Sequence, residues 1–121
     1  MKEKRDFNEY WKLLINQLSP TQTIRNWTAK SGYRGEDFNA IYVYNPRVSE
    51  GGYIEIKGPS MKYNRKVKKH SFLKIYPYWA GYVNGDVQHQ FFSNKDINPN
   101  ATLHSKYVIS ILHQFENLMY K

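Results

Sequence analysis

At the start of the chain, apolar side chains recur every three to four residues. Phe7, Tyr10, Trp11, Leu14, Ile15 and Leu18 then share one face, which predicts a helix over residues 6–18. Asp6, with Glu9 three positions on, has the form of a capping pair, and Ser19-Pro20 ends the segment. Beyond it, the β-branched and aromatic runs at 23–29, 38–45 and 53–57 read as strands. The last of these alternates cleanly, with Ile54 and Ile56 on one side and Tyr53, Glu55 and Lys57 on the other. Pro46 and Gly51-Gly52 punctuate a turn over residues 46–52. These signals predict an antiparallel meander with one wet face.

The pattern returns to a helical period after residue 70. Phe72, Ile75, Tyr76, Trp79, Tyr82 and Val83 form a stripe, with Ser71 as its expected N-cap and a kink at Pro77. After Asn98-Pro99 comes a long amphipathic helix, marked by Leu103, Tyr107, Val108, Ile111, Leu112, Phe115, Leu118 and Met119 and capped by Asn98 or Asn100. Its polar side would carry Lys106, Ser110, His113, Gln114 and Asn117, with Ile109 exposed among them. Lys106, His113, Gln114 and Asn117 are residue types that can read base edges. The expected architecture is one α+β domain over residues 1–121. It has an N-terminal helix, a small antiparallel sheet of about three strands, then two C-terminal helices.

Composition narrows the chemistry. A chain of 121 residues can bury a core without cross-links, and the absence of cysteine excludes disulfides, thiolate metal sites and cysteine nucleophiles. The first residues carry no apolar signal core, which predicts a cytoplasmic protein. Lysine and arginine number 18 against 10 acidic residues, a net charge of +8, so polyanionic partners are expected.

That charge is concentrated. Lys57, Lys62, Arg65, Lys66, Lys68, Lys69 and Lys74 fall within eighteen positions, and no acidic residue occurs from Ile56 to Gly85. A solvated face ordinarily mixes both signs, whereas an unrelieved positive run repels itself and attracts an anion. With Tyr53, Tyr63 and His70 within or beside it, the run is a candidate surface for phosphates, with tyrosines available to stack on bases. The function this predicts is non-catalytic nucleic-acid binding, DNA before RNA, as would suit a component of a phage, mobile-element or DNA-defence system. An alternative with the same lysines is a small inhibitor or regulator that binds an acidic protein or a nucleoprotein.

Catalytic signatures are sparse. Glu55-Ile56-Lys57 resembles the second half of the PD-(D/E)xK nuclease motif. That resemblance implies a Mg²⁺-dependent nuclease in which Asp37 (or Glu36) and Glu55 hold the ion and Lys57 helps to activate water. If the hairpin places Tyr44 opposite Tyr53, Glu55 faces Tyr42. Asp37 then lies five residues further on, roughly 16 Å away and out of phase. The histidines, His70, His89, His104 and His113, have no metal-ligand spacing, and neither a serine nucleophile elbow nor a glycine-rich phosphate loop is present. No cofactor is expected beyond Mg²⁺ under the nuclease alternative.

Overall fold

The computed structural model describes residues 3–47 and 51–121. Met1 and Lys2, and Val48, Ser49 and Glu50 of the expected 46–52 turn, lie outside the described residues.

Helix α1 spans Phe7–Gln17, and the Asp6 carboxylate accepts a 2.9 Å hydrogen bond from the Glu9 backbone N–H, as the capping pair predicts. That bond is the main cause holding the Asp6 carboxyl below its usual range. Among the described residues six strands follow: β1 Gln22–Ile24, β2 Trp27–Thr28, β3 Gly32–Tyr33, β4 Phe38–Tyr44, β5 Gly52–Lys57 and β6 Arg65–Lys68. The helical segments are α2 Lys69–Ile75, α3 Trp79–Val83, α4 Gln90–Ser93 and α5 Ser105–Gln114, with 3₁₀ turns at Tyr76–Tyr78 and Glu116–Met119. None is long and apolar enough to cross a membrane.

The class is α+β, as the pattern predicts, but the sheet is larger. It is a four-stranded antiparallel sheet in the order β1-β4-β5-β6, with β2 and β3 forming a separate two-stranded ribbon. The run 23–29 is therefore two strands in two sheets, broken at Arg25-Asn26. The fourth strand of the main sheet comes from the basic run. Val67 is its one fully buried side chain, paired with Ile54 between flanking cationic residues. One apolar position gives no alternation to read, which is why sequence reasoning assigns the segment no strand. Lysines on such an edge also discourage pairing with another sheet.

One face of the sheet packs on α1, α2 and α5 through Ile24, Phe38, Ala40, Ile54, Ile56 and Val67, meeting Tyr10, Trp11, Leu14, Phe72 and Ile111. Each large apolar side chain buried in this way contributes about 1.5–3 kcal/mol. Proline has no N–H to continue the helix at position 77, so the chain tightens into the 3₁₀ turn between α2 and α3.

Three local expectations are corrected. Ser71 is not an N-cap: α2 begins at Lys69, and Ser71 is buried inside it. The last helix starts at Ser105 rather than near Asn98, and Leu103 is 87% exposed instead of lying on the apolar stripe. Ile109, expected to be exposed, is fully buried because α5 is covered by α2 on one side and by β1 and β2 on another.

Candidate nucleic-acid interface

Strand β6 is one of the two edge strands of the main sheet. Its pairing with β5 sets Lys66 opposite Glu55 and Lys68 opposite Tyr53. Residues directly opposite share a face, so both lysines stand on the side away from the helices. Lys66 Nζ lies 5.3 Å from the Tyr53 ring centroid. Lys57 is on this face as well, opposite Asn39 at the far end of β5.

The chain turns from β6 directly into α2, carrying Lys69, His70 and Lys74 around the edge. There a cleft of about 310 Å³ opens, lined by Lys66, Lys68, His70, Ser71, Lys74, Lys95, Ala101, Thr102, Leu103 and His104. Among the described residues, its wall contains four lysines and two histidines and no carboxylate. Lys95, Leu103 and His104 belong to the segment 94–104, which sequence reasoning did not associate with the basic run. That segment is held by its own turn chemistry. The Asn98 amide donates to the Phe91 carbonyl at 2.8 Å, and the Thr102 N–H donates to the Phe92 carbonyl at 2.8 Å. The buried hydroxyls of Ser71 and Thr102 meet at 3.2 Å and tie the segment to α2. The cluster of Asn, Asp and Pro over 94–100 was the available sequence signal for a built turn.

Among the described residues, no ion pair with a carboxylate answers Lys57, Lys62, Arg65, Lys66, Lys68, Lys74 or Lys95. The carboxylate opposite Lys66, on Glu55, accepts a 3.2 Å hydrogen bond from the Asn64 amide. The cleft therefore concentrates positive charge, and burial together with the nearby Arg65 guanidinium holds the His104 imidazole below its ordinary pKa. An anion seated there would reverse that push. Lys62, Tyr63 and Arg65 stand at the start of β6, with Tyr63 68% exposed and Lys62 Nζ 5.5 Å from its ring centroid. Lys69 turns the other way, 5.9 Å over the ring of Phe7.

The expected readout residues do not form one free face. Gln114 is tied to β1: its side-chain oxygen accepts from the Arg25 N–H at 3.0 Å, and its amide donates to the Thr23 carbonyl at 2.9 Å. His113 stacks on Trp27 at 3.7 Å with parallel rings, and its Nε2 lies 3.2 Å from the Tyr33 hydroxyl. Burial holds this imidazole, too, below its ordinary pKa. Ser110 accepts from the Trp27 N–H. Lys106 and Asn117 remain exposed, the latter in the 3₁₀ turn beyond α5.

The nuclease constellation is also placed. The hairpin register differs by one residue from the expectation: Tyr44 pairs with Gly52, and Glu55 faces Ile41. This restores the phase of Asp37 with Glu55 but leaves it four residues beyond Ile41, roughly 13 Å along the strand direction. Asp37 instead flanks a hollow with Lys57, Gly58 and Pro59. Two carboxylates so far apart do not share one ion. Among the described residues, no group of three or more acidic or histidine side chains is placed to hold a metal.

Comparison with protein-family models, curated proteins and solved structures finds no match to this chain.

Proposed function

We propose that this protein binds nucleic acid without chemical conversion, gripping phosphates through the cleft between β6, α2 and the 94–104 segment. The observation that carries the reading is the convergence of Lys66, Lys68, Lys74 and Lys95 with His70 and His104 on one wall that, among the described residues, holds no carboxylate. Lysines from distant parts of the chain, unanswered by acidic partners among the described residues, are suited to polyanion binding through counterion release. Lys57, Lys62 and Arg65 extend the positive surface to either side. Contacts of this kind hold the backbone and carry little sequence information. DNA is placed ahead of RNA as the ligand.

The test is fluorescence anisotropy of labelled duplex and single-stranded oligonucleotides across a salt series. The wild type is compared with the Lys66→Glu/Lys68→Glu/Lys95→Glu variant. Binding that weakens steeply with salt and is lost in the variant supports the reading. No binding by the wild type at low salt contradicts it. Equal, equally salt-dependent binding to polyglutamate would move the function to an acidic protein partner.

A further inference from the structure

Resting on that reading, we infer that the preferred ligand is single-stranded nucleic acid, with a base stacked on Tyr53 and the adjoining phosphates led over Lys66 and Lys68 into the cleft. Two independent observations point there. The first concerns the helix that the sequence offered for readout. A helix that reads a duplex through its major groove must protrude and present a free polar face. Helix α5, the one element whose sequence suggested such a role, is embedded: Val108, Ile109, Ser110, Ile111 and Leu112 are all buried, and Gln114 is spent on the β1 backbone. The basic residues lie instead on a sheet edge and on a helix of only seven residues.

The second is what the outer sheet face offers. Among the described residues, Tyr53, Ile41 and Val43 remain partly exposed on the face away from the core. Tyr53 pairs across the strands with Val43 on one side and Lys68 on the other, so an aromatic ring lies between an apolar strip and the cationic edge. Every base has a π-face that can use such a ring, while duplex bases are stacked on each other and cannot. Lys66 and Lys68 follow one another on the same side of β6, roughly 6.6 Å apart along the strand. Both also line the cleft, so the stacking platform and the phosphate site are continuous through two shared side chains. An acidic peptide would match the charge but would leave the ring without a partner of its own kind.

The experiment compares a labelled oligothymidylate, an oligouridylate and a mixed-sequence duplex of equal length, using wild type, Tyr53→Phe and Tyr53→Ala. The inference predicts tighter binding of at least one single strand than of the duplex. It also predicts that Tyr53→Ala weakens single-strand binding by about tenfold and leaves the salt slope unchanged, while Tyr53→Phe stays close to wild type. Equal affinity for the duplex, or Tyr53→Ala binding like wild type, overturns the inference while leaving the phosphate cleft standing. Failure of every oligonucleotide to bind overturns both.

Discussion

The hydroxyls of Ser71 and Thr102 sit 3.2 Å apart at the buried floor of the basic cleft. Thr102 Oγ1 also accepts a 3.3 Å hydrogen bond from the His104 N–H. Thr102→Val therefore strands two groups, and Ser71→Ala only one. Denaturant unfolding should show Thr102→Val costing about 1–3 kcal/mol and Ser71→Ala less. Because this threonine anchors the segment that carries Lys95 and His104, Thr102→Val should also weaken oligonucleotide binding.

Gln114 separates a structural role from a recognition role. Its side chain closes α5 onto β1 through two backbone hydrogen bonds. Gln114→Ala is expected to lower stability by about 1 kcal/mol and leave nucleic-acid affinity unchanged. A loss of affinity without a loss of stability, read from binding and denaturation curves together, would restore α5 as a reading surface.

Acid should act on fold and binding in opposite directions. Burial lowers the pKa of His89, His104 and His113, so the folded protein prefers these rings neutral. Below about pH 6.5 the unfolded chain takes up more protons than the folded one, and stability falls as pH drops. Thermal unfolding should therefore shift downward between about pH 7.5 and about pH 5. A phosphate in the cleft favours the protonated form of His104, so single-strand affinity should rise over the same window. His104→Gln should remove that ring's share of the rise. Among the described residues, the charged groups around His104 are Lys66, Lys68, Lys74, Lys95 and Arg65, all positive, and an added anion supplies the opposite charge.

The hairpin entering β5 gives a test of packing alone. A Cβ on Gly52 would stand 2.5 Å from the Val43 carbonyl oxygen and 2.7 Å from the Tyr42 hydroxyl. The carbonyl belongs to the paired strand and cannot yield, so Gly52→Ala should destabilise by about 1–3 kcal/mol. At Gly58 the same atom would meet only the Met61 side chain at 3.5 Å, and Gly58→Ala should be close to neutral by urea denaturation.

What the sequence made legible follows from how many apolar positions each element contributes. Helix α1 has a full stripe and a capping pair, β4 buries Phe38 and Ala40, and β5 alternates with Ile54 and Ile56 buried, so their places can be read directly. Strand β6 buries only Val67, and its pairing with β5 is a tertiary fact. The basic run supplied Lys66, Lys68, His70 and Lys74 to the cleft, but Lys95 and His104 arrive through a turn pinned by Asn98 and Thr102. No local pattern announces that meeting. The polar side of α5 misled for a related reason: the β2–β3 ribbon, short and weakly patterned, covers it and occupies His113 and Ser110.

Lys95 is the most direct test, because it lies far from the basic run in sequence and joins it only if the cleft is the binding site. Single-strand affinity should be measured at low and moderate salt for wild type, Lys95→Glu, Lys68→Glu and the double variant. The account predicts that Lys95→Glu loses affinity as Lys68→Glu does and that each flattens the salt slope by about 0.7 for the phosphate contact removed. Wild-type affinity and slope in Lys95→Glu would contradict it.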